Sequence, residues 1–108
     1  MLDAAEIQRR TAISQATRNE LLRAAVTEAG EVGYLFITKP AIGRRAHRAA
    51  SLINHYFGSL SDLKDAVVSY AVEMEVLPIV TQALANGHPI ALSAPDDLKH
   101  KASASLRG

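Results

Sequence analysis

The stretch Thr38-Lys39-Pro40-Ala41-Ile42-Gly43-Arg44-Arg45-Ala46-His47-Arg48-Ala49-Ala50-Ser51-Leu52-Ile53-Asn54-His55-Tyr56-Phe57-Gly58 decides the fold. Thr38 can cap a helix. Pro40 falls in its first turn, where a missing N–H costs little. Ile42 and Ala46 give a helix over 40–46 an inner face, with Arg44, Arg45 and Arg48 mostly off it. Ala49, Leu52, Ile53, Tyr56 and Phe57 then recur at i, i+3, i+4, i+7 and i+8, which predicts a helix over 49–57 with Phe57 in the core. Ala50, Ser51, Asn54 and His55 face away from that stripe, and Gly58 ends it. Two short helices joined by a few residues are the outline of a helix-turn-helix.

The flanks read as helical too. Ser59-Leu60-Ser61-Asp62 is a capping-box start, and Leu63, Ala66, Val67, Tyr70, Ala71 and Met74 form the apolar face of a fourth helix. Pro78 interrupts it. Ile79, Val80, Ala83 and Leu84 predict a short helix closed by Asn86-Gly87, and a last short helix is expected near Pro95–Lys101, followed by a disordered tail. Leu77 joins Ile79, Val80, Ala83 and Leu84 in a stripe that so small a domain would leave uncovered, which favours self-association. On the other side, Tyr34-Leu35-Phe36-Ile37 has no partner strand and reads as a buried loop that seals the core. Thr17 to Glu20 reads as a capping box that starts a helix carrying Leu21, Leu22, Ala25, Val26 and Ala29, stopped by Gly30 and Gly33. Residues 3–10 form at most a turn or two of a mobile arm. The expected fold is all-α: an N-terminal arm over 1–13, a three-helix helix-turn-helix bundle with a fourth helix over 14–75, and a short helical extension with a flexible tail over 76–108.

The chain has 108 residues, 48% hydrophobic and 21% charged, enough for one core and too little for two domains. It has no Cys, which excludes disulfides and thiolate metal sites and fits a reducing cytoplasm. No apolar run is long enough to span a bilayer, and Asp3 and Glu6 do not fit a signal peptide. The net charge of +1 hides an asymmetry. Residues 9–57 carry eight basic groups against three acidic ones, and residues 58–98 carry Lys64 against six acidic groups. From 38 to 57 there is no acid at all, the mark of a surface that meets a polyanion. The four His (His47, His55, His88, His100) show no metal-binding spacing, and no phosphate loop or nucleophile elbow is present. Neither catalysis, nor a metal, nor a cofactor is expected.

A helix that reads a major groove needs an apolar inner face, a short-chain polar outer face and flanking cations. That assigns Ala50, Ser51, Asn54 and His55 as base-contact candidates, and Lys39, Arg44, Arg45, His47, Arg48 and Tyr56 as phosphate-contact candidates. Arg9 and Arg10 are candidates for a minor-groove arm. Asn54 matters most, because Asn can pair bidentately with adenine.

Thr17-Arg18, Leu21-Leu22, Ala24-Ala25, Gly33-Tyr34, Thr38, Ile42, Ala46, Ile53, Tyr56-Phe57-Gly58-Ser59 and Leu63 resemble the N-terminal DNA-binding domain of TetR-type (tetracycline-repressor) regulators, without a gap from Thr17 to Lys64. The resemblance implies a recognition helix at about Ala49–Phe57 whose ends touch phosphates. It is a divergent likeness. The family's Ala-Gly-Val-Ser turn is Ala46-His47-Arg48-Ala49 here, its mid-helix Tyr is Asn54, and its Leu-Phe pair late in the first helix is Glu28-Ala29. Residues 76–108 are too few to enclose a drug-sized pocket, so no small-molecule inducer is carried over. The expected partner is double-stranded DNA, bound by a homodimer in the regulation of transcription, with a phage or mobile element as a plausible setting. The alternatives are a helical protein-interaction module without DNA binding, or a helix-turn-helix used in DNA packaging, replication or transposition.

Overall fold

The computed structural model describes residues 3–105. Among them are seven α-helices and no strand: α1 Ala4–Val32, α2 Lys39–Ala46, α3 Leu52–Phe57, α4 Leu60–Met74, α5 Leu77–Ala85, α6 Pro89–Leu92 and α7 Asp96–Ser105. The all-α expectation holds. Extents of 57 × 28 × 20 Å reflect α1, whose 29 residues span about 43 Å at 1.5 Å per residue.

α1 departs most from the sequence expectation. It starts at Ala4, not Thr17, and Thr17 is a buried mid-helix residue. Its cap is Asp3, whose Oδ1 accepts the Glu6 N–H at 2.8 Å. The physical reason is continuity. No Pro or Gly interrupts residues 4–29, and Ala, Gln, Glu and Arg recur through the first turns. The expected arm over 1–13 is therefore helical from residue 4, while Met1 and Leu2 lie outside the described residues. Residues 3–16 are nearly all exposed, Ile7 and Ile13 included, so this half of α1 projects from the body. The helix also runs through Gly30. It stops only at Gly33, which adopts φ 94° and donates its N–H to the Ala29 carbonyl at 2.9 Å.

The core builds on the second half of α1. Leu21, Ala25 and Ala29 recur every four residues and are fully buried. The small alanines let α2 and α4 approach closely, and Ile42, Ile53, Leu63, Val67, Val68 and Ala71 fill the space between. Tyr34–Phe36 is a single 3-10 turn. Only part of that run seals the core: Tyr34 and Ile37 are buried, whereas Leu35 is exposed and Phe36 is 72% exposed. Phe57 also departs from expectation. It packs against the core from a half-buried position, with the Arg18 guanidinium 4.5 Å over its ring. The start of α4 is as expected: Ser59 Oγ accepts the Asp62 N–H at 3.0 Å and donates to Asp62 Oδ2 at 2.9 Å.

Pro78 sits in the first turn of α5. The apolar stripe of α5 is not left open. Ile79, Val80 and Ala83 are fully buried, and α5 packs against both α4 and α7, whose Leu98 and Ala102 are buried in the same core. Thr81 Oγ1 donates to the Ala102 carbonyl at 2.9 Å across this contact. The segment after Lys101, expected as disordered, continues α7 to Ser105; residues 106–108 lie outside the described residues. His88 ties the second half to the first. Its Nδ1 accepts the Ile90 N–H at 3.2 Å at the start of α6, and its Nε2 faces Asp65 Oδ1 of α4 at 2.8 Å. The Tyr34 ring meets it edge-on at 6.0 Å, and burial, then the Asp65 charge, push the Tyr34 hydroxyl pKa up.

Because Val80 is fully buried, Val80→Asp is expected to unfold the chain. An unpaired carboxylate there costs several kcal/mol, on the order of the whole stability of a domain this size. Thermal unfolding followed by circular dichroism checks it; an intact, cooperative transition contradicts the burial of Val80.

Candidate nucleic-acid interface

Three local devices build α2, the turn after it and the entry to α3. Thr38 Oγ1 accepts the Ala41 N–H at 3.3 Å and starts α2, with Pro40 in the first turn. His47 ends α2 in the left-handed conformation, φ 56° and ψ 42°, its N–H directed to the Arg44 carbonyl at 3.3 Å. The Arg48 N–H then closes back on the Gly43 carbonyl at 2.9 Å. The chain so returns directly over Gly43. A Cβ on Gly43 would lie 2.8 Å from the Arg48 carbonyl oxygen and 3.2 Å from the Ala50 nitrogen, both backbone atoms. Sequence reasoning passed over Gly43. Its only signal was a glycine inside a helical pattern, which marks a close backbone approach.

α3 is shorter than the sequence implies. It begins at Leu52, because Ala49, Ala50 and Ser51 form the turn that feeds it, with the Ala49 and Ala50 carbonyls accepting the Leu52 and Ile53 N–H groups at 3.1 Å. Ala50 is half-buried in that turn, its backbone against Gly43, and does not stand on the outer face of a helix. Ile53 is fully buried, and Ser51, Asn54 and His55 are exposed. Spacings of three and four residues place these three on one side. Tyr56 is half-buried against the core, with the His55 ring edge-on at 4.8 Å. The Gly58 N–H closes the helix on the Asn54 carbonyl at 2.9 Å.

The basic residues divide into two sets. Arg45 donates through Nε and Nη2 to Glu28 at 3.1 and 2.8 Å, and through Nη2 to Glu31 at 2.7 Å. Its hydrogen bonds to the Glu28 carboxylate first and to Glu31 second push its pKa further up. Arg48 meets Glu20 through Nε at 3.0 Å and Nη2 at 2.9 Å. Lys39 and Arg44, by contrast, make no ion pair among the described residues. Arg44 and His47 border a hollow between α2 and the turn, together with Pro40 and Gly43. The acid-free stretch is thus acid-free only along the chain. The fold lays three α1 glutamates beside it, a feature the linear charge count missed. Residues 20, 28 and 31 fall on one side of a helix with 3.6 residues per turn, and that was the available signal.

Arg9 and Arg10 are on the projecting half of α1, exposed, with Arg10 3.5 Å from Glu6. They ride on a helix and not on an extended peptide of the kind that enters a minor groove. Arg10 lies about 12 Å along the axis from Arg18, which marks the end of α3 through Phe57. Among the described residues no cluster of three or more His, Asp or Glu groups could hold a metal ion, and no helix is long and apolar enough to cross a membrane. Compared with family models, with curated proteins and with solved structures, the chain matches none.

Two substitutions probe the turn in opposite directions. Gly43→Ala forces backbone apart and is expected to destabilise by about 1–3 kcal/mol, despite alanine's better helix propensity. His47→Gly relieves a left-handed non-glycine residue and is expected to stabilise by up to about 1 kcal/mol, raising the melting temperature by a few degrees. Urea unfolding measures both; a Gly43→Ala protein as stable as the parent contradicts the close approach.

Proposed function

We propose that the chain binds double-stranded DNA, with α3 in the major groove and α2 bracing it, as a compact regulator of transcription. One observation carries this reading. Ser51, Asn54 and His55 stand exposed on the side of α3 opposite the fully buried Ile53, on a turn fixed by Gly43, with Lys39 and Arg44 unpaired nearby. Short polar side chains on a braced helix suit base edges, and unpaired cations suit phosphates. The TetR-type resemblance over Thr17–Lys64 supports the same assignment. A six-residue helix offers few base contacts, so the reading includes two copies on a near-palindromic site. The α5 stripe is no candidate for that dimer contact, because Ile79, Val80 and Ala83 are fully buried within the chain.

One observation favours a second reading, a helical protein-interaction module. Val32, Leu35 and Phe36 expose apolar surface within a few residues of the end of α1.

A gel shift on random duplex DNA across a salt series separates the two readings: the first requires binding that weakens with salt, the second no binding. Arg44→Ala is expected to weaken binding to all duplexes alike and to lower the salt slope by about one. Asn54→Ala is expected to cost about 1–3 kcal/mol on a site selected from a random pool, and much less on random DNA. Equal losses on both DNAs would take Asn54 out of the base-reading set.

A further inference from the structure

We propose that Glu20, Glu28 and Glu31 of α1 are an internal competitor for the DNA backbone: they occupy Arg45 and Arg48, so that generic duplex meets only part of the cationic face. The inference rests on the DNA-binding reading above and concerns the regulation of that same surface.

A carboxylate presents two oxygens to the guanidinium fork much as a phosphate does. Arg45 has its Nε–Nη2 edge on Glu28 and shares Nη2 with Glu31. Arg48 has the same edge on Glu20. For either arginine to reach a phosphate, it must release a carboxylate. The released groups then face the polyanion as like charges, and the Glu28 side chain, only 13% exposed, is left poorly hydrated. The arrangement is selective. Three glutamates converge on the two arginines that bracket the turn, and none engages Lys39 or Arg44. The Arg48–Glu20 contact is also a poor candidate for a purely structural brace: both side chains are exposed, and pairs of that kind contribute about 0–1 kcal/mol. The effect of the glutamates falls on recognition. Fewer phosphate contacts lower the sequence-independent part of binding and leave a larger share of the discrimination to base edges.

The test uses the full chain and a fluorescently labelled random-sequence duplex, with affinity read by anisotropy over a salt series and folding checked by circular dichroism. Glu28→Gln/Glu31→Gln is expected to bind about 3–10-fold tighter at low salt, with a slope steeper by about one. Adding Arg45→Ala to that pair is expected to cancel the gain, a reversal that a general change in stability would not produce. In the parent, Arg44→Ala is expected to weaken affinity several-fold. Glu20→Gln, on an exposed pair that folding does not need, is expected to tighten binding about twofold or more, and adding Arg48→Ala to cancel that. If the parent binds duplex but neither Glu→Gln variant binds more tightly, or adding Arg45→Ala leaves the gain of Glu28→Gln/Glu31→Gln intact, the competitor is wrong and the DNA reading stands. If the parent shows no salt-dependent binding, the DNA reading fails and takes the competitor with it.

Discussion

The contact between the backbone of residues 48–50 and the bare α-carbon of Gly43 sets the geometry of this protein. α3 is only six residues long and cannot hold its own direction. Its orientation comes from where the chain crosses α2, and that crossing leaves no room for a Cβ at position 43. Two backbone hydrogen bonds, His47 to Arg44 and Arg48 to Gly43, lock the return. Once the turn is fixed, Ile53 must point into the core, and the spacing of the helix puts Ser51, Asn54 and His55 outside. A left-handed His47 is the strain that this closure imposes, in a position where glycine would sit at ease.

Long-range charge is organised around the same turn. The arginines before and after His47 reach back to α1, Arg45 to Glu28 and Glu31, Arg48 to Glu20. α1 therefore touches α2 and the turn after it with polar side chains on one flank, while Leu21, Ala25 and Ala29 hold the core on another. The two flanks do different work. Burial of the aliphatic flank supplies most of the stability at about 25 cal/mol per Å², and the exposed Arg48–Glu20 pair adds little to it.

Much of the architecture was legible in the sequence, and the limits were physical. Thr38, Ser59 and Gly58 act through contacts three or four residues away, so the start of α2, the start of α4 and the end of α3 could be read locally. The inward stripe through Ile42, Ile53, Leu63 and Val67 was equally plain. What failed depended on distant partners or on competition between signals. Thr17 and Glu20 looked like a cap, yet Asp3 offered an earlier one and nothing between them broke the helix. The α5 stripe looked uncovered because the helices that bury it, α4 and α7, are placed on it only by the fold. At the candidate site, Ser51, Asn54 and His55 followed from phase alone, whereas Ala50 did not, because the turn took three residues that the periodicity had given to the helix. Arg45 and Arg48 were read as cations facing outward, since their counter-charges lie far away along the chain and close only in space.

The projecting half of α1 has a consequence for how the chain folds. A free helix of that length is marginal in water, since fixing the first turn is unfavourable and each later residue adds little. Here the first turn need not form alone. The half anchored by Leu21, Ala25 and Ala29 is the nucleus, and the helix propagates outward from it toward Asp3, one residue at a time. Opening should therefore run the other way, as a gradient of amide-exchange protection that rises from Asp3 to Thr17 while the core stays closed. The protein carries a helix–coil transition on its surface, held at one end by its tertiary structure.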